Sequence, residues 1–259
     1  EYDERELEYL SELVFEFIKF VIDKIEENQN EIVKKIVDFS LHVLTCLSMD
    51  SLINEDDDYD ENKILNDDKF LKAKINFALI IRESFRYYQE ISFELFDNLI
   101  FSVINEIQTN NDSNKIIASI VFSDFLHFYP KEGANYFSYF FELFTSYFDS
   151  QNLNVKLCSI YGLSVIANPV NCDVESIKNL IGVFIQDVQN ECAMIVFALL
   201  HILQNYSSEL DVSSYLQQFW ELLNGETFQI PFYCNEYFAV SLLFFNSRFG
   251  DQIPEEKVR

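Results

Sequence analysis

Residues 114–130 read NKIIASIVFSDFLHFYP and residues 155–169 read VKLCSIYGLSVIANP. Each is an apolar run that ends at a proline, and Pro130 and Pro169 lie 39 residues apart. Proline lacks the N–H that a helix interior needs and clashes with the preceding turn, so both runs stop at the same kind of corner. Working outward, helix starts read at Asp67, Asp112, Asn152, Asn190 and about Phe228, spaced 45, 40, 38 and about 38 residues apart. A second helix fits inside each interval. A period near forty with two helices per period predicts a helical-pair solenoid, whose units bury their apolar faces only by stacking on their neighbours.

Composition supports an all-α chain. Hydrophobic residues make up 49% of the 259, enough for a continuous core, while 5 Gly and 4 Pro cannot supply the frequent tight turns of a sandwich or barrel. Phe (27) and Tyr (14) suit the thick contact between helix layers. The first helix of each unit is the more apolar: 70–88, 114–129, 155–167 and 192–206. Upstream, the periodicity predicts a helix over 4–27 with Leu7, Leu10, Val14, Phe17, Ile18, Val21 and Ile25 on one face. Another over 31–47 carries Ile32, Ile36, Phe39, Val43 and Leu47. Residues 1–66 are thus a helical pair plus an acidic loop, and 67–259 continue the same array.

The second helices carry a polar stripe beside the apolar one. In 92–108 it holds Glu94, Asn98, Ser102 and Asn105; in 134–149 it holds Asn135, Ser138, Glu142, Thr145 and Asp149. In 173–188 it holds Glu175, Lys178, Asn179 and Gln186, with Asp173 placed to cap the helix. Stacked, these stripes make one polar face, expected to be the concave, partner-binding side. The residues assigned to it are Glu94, Asn98, Glu142, Asp149, Glu175 and Asn179.

Forty-three acids against eighteen bases give a net charge of −25, a field that repels nucleic acid and anionic lipid and points to a basic partner. Solubility of an aromatic-rich chain is the alternative explanation of the acidity. The apolar stretches are interrupted before reaching a membrane span. Five cysteines at 46, 158, 172, 192 and 234 form no paired motif and read as buried free thiols of a reducing compartment. The chain begins at Glu1 with no signal sequence and reads as part of a longer protein.

Motifs for chemistry are missing. There is no phosphate-binding glycine loop, no nucleophile elbow and no His-Glu-x-x-His, so no enzyme, cofactor or metal site is expected. Asp124 and His127 share a helical face, where a structural hydrogen bond between neighbours outweighs half a metal site; His42 and His201 stand alone. The loop containing Glu55, Asp56, Asp57, Asp58, Asp60 and Glu61 lacks the glycine and terminal glutamate of a calcium loop and reads as solvated charge.

Three motifs carry a resemblance. Phe122-Ser123-Asp124-Phe125-Leu126 followed by Tyr129-Pro130, with Tyr136-Phe137 beyond, is one. Asn154-Val155-Lys156-Leu157-Cys158-Ser159-Ile160-Tyr161-Gly162-Leu163 is the second, and Val212 to Leu223 with Phe219 and Trp220 the third. Over about residues 69–252 the chain resembles the C-terminal HEAT repeats of the importin-β (karyopherin-β) family of nuclear transport receptors, nearest the branch that imports ribosomal proteins and histones. Lys156, Ser164 and Gln217 depart from that pattern, where the family has Arg, Gly and Pro. The resemblance implies an α-α superhelix that shuttles between cytoplasm and nucleus. It also implies basic protein cargo on an acidic inner surface, phenylalanine-glycine nucleoporins in outer clefts, and release by Ran GTPase acting mainly on repeats upstream of the matched stretch. The alternative is a HEAT scaffold subunit of a larger complex.

One expectation follows from composition alone. In 54–62 only Tyr59 is available to anchor the segment, so limited proteolysis nicks the free protein there first. Full protection in the absence of a partner would contradict it.

Overall fold

A computed structural model describes residues 4–22, 24, 30–53, 70–109, 111–168, 172–186, 198, 201–203, 205, 206 and 210. Among them all regular structure is helical. The elements are α1 (Glu4–Ile22), α2 (Asn30–Ile53), α3 (Leu71–Tyr87), α4 (Gln89–Leu95), a π turn (Phe96–Ile100), α5 (Phe101–Ile107) and α6 (Asp112–Phe128). A 3-10 turn (Glu132–Tyr136), α7 (Phe137–Phe148), α8 (Leu153–Ile166) and α9 (Val174–Gln186) follow. The expected starts at Asp67, Asn190 and Phe228, the acidic loop, and the tryptophan-containing motif lie outside the described residues, and Cys192 and Cys234 do too.

The repeat is more regular than the sequence suggested. First helices open on the same hydrogen bond, from Lys74 N–H to Phe70 O (2.8 Å), Lys115 N–H to Asn111 O (3.2 Å) and Lys156 N–H to Asn152 O (3.0 Å). Phe70, Asn111 and Asn152 are 41 residues apart each time. Two starts have a chemical cause: Asn111 Oδ1 accepts the Asn114 N–H at 2.9 Å, and Asn152 Oδ1 accepts the Asn154 N–H at 3.0 Å, filling donors that the first turn leaves open. Asp173 does the same for α9 through the Ser176 N–H at 2.7 Å, as expected from its position. That bond holds the Asp173 carboxyl below the usual carboxylate range.

The far ends repeat as well. Tyr88, Tyr129, Ala167 and Tyr206 each close a helix onto the carbonyl four residues back. Tyr88 and Tyr129 adopt nearly the same backbone angles there, φ −129°, ψ 59° and φ −127°, ψ 59°. Their hydroxyls then donate to main-chain carbonyls of earlier helices: Tyr88 to Ile22 O at 2.6 Å, Tyr129 to Gln89 O at 3.0 Å and Phe85 O at 3.3 Å. Tyr206 likewise donates to Cys172 O at 2.9 Å. Burial pushes the Tyr129 phenol above its ordinary range, which keeps it a donor.

The chain divides into two compact units, residues 1–133 with 149–158, and residues 134–148 with 159–259. In the first, α3 packs against α1, α2, α4 and α6 and is buried without a break from Ala73 to Phe85. Its opposite faces meet different neighbours. Lys72 bonds Glu12 at 2.5 Å and Asn76 Nδ2 donates to Ser11 Oγ at 2.9 Å on the α1 side, while Lys74 and Arg82 reach α6 on the other. Aromatic rings fill the junction of α3, α4, the π turn and α6. Phe85 meets Phe125 and Phe96 edge-on at 6.0 and 6.1 Å, and Phe96 lies parallel to Phe125 at 3.4 Å. Phe96 opens the π turn and is buried in that junction.

In the second unit, α7 buries Phe140, Phe144 and Tyr147, and Phe148 reaches Phe184 of α9 at 6.2 Å. Phe144 lies on the backbone of Gly162 so closely that an added Cβ would stand 2.6 Å from its ring. A residue without a side chain is what admits the ring this closely.

Two expectations about the core need correction. Leu10 and Phe17 of α1 are exposed; Ser11, Ile18 and Ile22 face inward. In α2, Ile32 and Phe39 are exposed, and Val33, Val37, Leu41 and Leu44 make the buried stripe. Both helices carry more apolar residues than one face can hold, and periodicity alone cannot say which face has a neighbour.

Two glycines test the packing with opposite signs. Gly162→Leu forces Phe144 out of its rotamer and lowers stability by about 1–3 kcal/mol. Gly182→Ala, where an added Cβ meets nothing within 4 Å, gains up to about 1 kcal/mol of helix propensity. Urea unfolding followed by circular dichroism reads both, and shifts of the same sign would contradict the geometry.

Candidate functional site

The buried charges look at first like chemistry. Lys74, fully buried, donates from Nζ to Ser113 Oγ at 2.9 Å and to Asn114 Oδ1 at 3.1 Å. Ser48 Oγ of α2 donates to the same Asn114 oxygen at 2.9 Å, and Asn114 Nδ2 donates to Ile107 O at 3.0 Å. A serine beside a lysine can serve as nucleophile and base. Here the serine's oxygen is engaged with Asn111 Oδ1 at 2.8 Å and the whole cluster is enclosed by helices, so its chemistry is that of a polar clasp joining α2, α3, α5 and α6. Four of its bonds tie the start of α6 to earlier helices.

A second clasp lies two turns along α3. Arg82 Nε donates to Asp124 Oδ2 at 2.6 Å, with both side chains buried. The resemblance motif containing Asp124 thus contributes a core ion pair, and the partner is Arg82 on another helix, which sequence spacing around His127 could not reveal. His127 is half-buried, its ring set edge-on to Phe128 at 5.1 Å. His42 is exposed and sits 3.7 Å from Cys46 Sγ, one turn on; Cys46, expected to be buried, is exposed as well. Cys158 is buried as expected, and Cys172 is half-buried with its thiol pushed up to about 11 by burial and by neighbouring Asp173. Among the described residues no three histidine, cysteine or carboxylate side chains gather as for a metal ion, and no helix is long and apolar enough to cross a membrane.

The polar stripes of the second helices are exposed except at Asn105, which is half-buried, and at Gln186, whose side chain lies outside the described residues. Glu94 and Asn98 face solvent one turn apart, and Asn98 Nδ2 donates to the Glu94 carbonyl at 2.9 Å, which folds the amide back on its own helix. Glu90 and Asp97 are exposed on the same segment and add carboxylates that the sequence reading passed over. Glu142 is exposed on α7 and Asp149 just beyond its end. On α9, Glu175 and Asn179 are exposed, and Lys178 lies 3.9 Å from Glu175, an exposed pair that weakens the local negative potential while adding little stability. Glu94, Asn98 and Asp149 belong to the first unit and Glu142, Glu175 and Asn179 to the second. Glu55, Asp56, Asp57, Asp58, Asp60 and Glu61 lie outside the described residues.

The α1–α3 clasp is the other charged feature. Lys72 takes its strongest influence from the hydrogen bond to Glu12, which raises its ammonium above the ordinary lysine range, with Glu8 at 3.7 Å adding to the effect. Raised in the fold, it contributes stability below the unfolded value of 10.5 and loses it as pH climbs through the folded one.

Comparison of the chain with family models, with curated proteins and with solved structures finds no match in any of the three. The class the structure defines is an all-helical protein with a recurring helix-start register, two charged clasps in its core and exposed carboxylates on its second helices.

The Arg82–Asp124 pair yields a sharp test. Asp124→Ala leaves a buried guanidinium without its carboxylate and lowers stability by about 3–5 kcal/mol, whereas the double change Arg82→Met with Asp124→Leu costs much less. Thermal or urea unfolding measures both; a loss below about 1 kcal/mol for Asp124→Ala would mean the pair is not buried in solution.

Proposed function

We propose that this chain is a helical-repeat receptor that binds basic proteins reversibly, built as an α-α solenoid of the importin-β kind and acting without catalysis. The observation that carries the reading is the coincidence of two patterns. First helices recur every 41 residues and are sunk in the core, while the second helices that follow them turn carboxylates to solvent. The chain as a whole carries −25, and Glu90, Glu94, Asp97, Glu106 and Glu142 place part of that charge on these helices, a field that attracts lysine-rich segments and repels nucleic acid. The resemblance motifs supply the finer reading: basic cargo in transit between cytoplasm and nucleus, phenylalanine-glycine nucleoporins as second partners, and Ran GTPase as the releasing factor.

The scaffold reading has one observation in its favour. The apolar outward face of α1 suits a standing interface better than a reversible one.

Glu142 and Glu175 belong to the same unit and are exposed, so they can be changed with little effect on folding. Reversing both to Lys weakens binding of a lysine-rich peptide about tenfold at low salt, on the basis of about 0.5–1 kcal/mol per exposed charge. It also flattens the salt dependence, because charges beyond about 8 Å are screened at physiological ionic strength. Titration of wild type and double variant at two salt concentrations checks this, and equal affinities with equal salt slopes would turn the reading toward the scaffold.

A further inference from the structure

Among the described residues, the outward face of α1 carries the most exposed large apolar side chains. Tyr9, Leu10, Leu13, Phe17 and Phe20 are between 47% and 66% exposed. They recur at three- and four-residue steps and so form one stripe. Contacts with α3 come through Glu8, Ser11 and Glu12, and Ile18 and Ile22 are buried behind them. Residues two positions along a helix lie about 200° apart, which places Leu13 across the helix from Ser11 and Phe20 across from Ile18 and Ile22.

In α3 the two opposite faces are both covered by helices, α1 on one side and α6 on the other. The α1 stripe is the counterpart of the α3 face that receives α1. Its composition is that of a helix–helix contact, with three rings and two leucines and no charge among them.

We propose that this stripe pairs with the same stripe of a second copy of the chain, the two α1 helices running antiparallel. The pattern is self-complementary in that direction. A two-fold axis beside Phe15 sets Leu13 opposite Phe17 of the other copy and Leu10 opposite Phe20. It also brings Glu6, exposed at one end, to Lys24, exposed just past the other. Antiparallel pairing therefore matches bulk with bulk and acid with base, whereas parallel pairing would face Glu6 with Glu6. The five side chains offer roughly 500 Å² per copy, about 1,000 Å² in the pair, which reaches the lower bound for a specific interface before flanking residues are added. The inference is independent of the receptor reading. Copies that each carry −25 repel one another, so salt strengthens this contact while it weakens a basic cargo.

Sedimentation equilibrium of the whole chain is the test. Wild type is expected at twice the 30.6 kDa chain mass at tens of micromolar, with the dimer tightening as salt rises. Phe17→Asp with Phe20→Asp is expected to sediment as the 30.6 kDa monomer, at least 100-fold weaker in self-association, with an unchanged helical circular dichroism spectrum. Glu6→Lys alone weakens the dimer, and Glu6→Lys with Lys24→Glu restores it. A wild type that stays monomeric to about 100 µM overturns the proposal, whatever else covers the stripe. So does a dimer that survives both aspartates, and charge variants indistinguishable from wild type refute the antiparallel register.

Discussion

A helix that carries Lys74, Asn76, Arg82 and Glu83 and is still buried along its middle depends on finding partners for those groups inside the protein. That constraint organises the first unit. Lys74 is met by Ser113 and Asn114, Arg82 by Asp124 and Asn76 by Ser11, so α3 has polar contacts to α6 on one side and to α1 on the other. An apolar helix in that position could slide or turn against its neighbours at small cost. A charged one cannot, because a shift of one residue would strand a buried ammonium or guanidinium.

The aromatic packing is subordinate to these clasps. Phe85, Phe96 and Phe125 make no directional demand as strong as an ion pair, and they meet at mixed edge-on and parallel angles beside the clasps. In the second unit the corresponding precision comes from shape, with Gly162 admitting Phe144 to the backbone of α8. Charge fixes one unit's register and the absence of a side chain fixes the other's.

Much of the architecture was legible. The starts at Asp112 and Asn152 and the cap at Asp173 follow from chemistry that acts within three residues, and Pro130 and Pro169 announce stops the same way. The exposure of Glu94, Glu142 and Glu175 also followed from local periodicity. What could not be read were interactions over about forty residues: Arg82 with Asp124, Lys74 with Asn114, the tyrosine hydroxyls with distant carbonyls. Nothing in a one-dimensional pattern distinguishes a buried paired lysine from a solvated one. The misassigned faces of α1 and α2 have a related cause, since an apolar residue fits a core and an interface equally well.

The tyrosine contacts at 88, 129 and 206 share one property with consequences for the sequence as a whole. Each donor is a phenol, but each acceptor is a main-chain carbonyl, supplied by residues as unlike as Ile22, Gln89 and Cys172. Every amino acid carries that acceptor. Each of these joints therefore constrains the identity of one residue in the pair and leaves the other free to be replaced. A protein fastened in this way can exchange most of its surface vocabulary and keep its grammar.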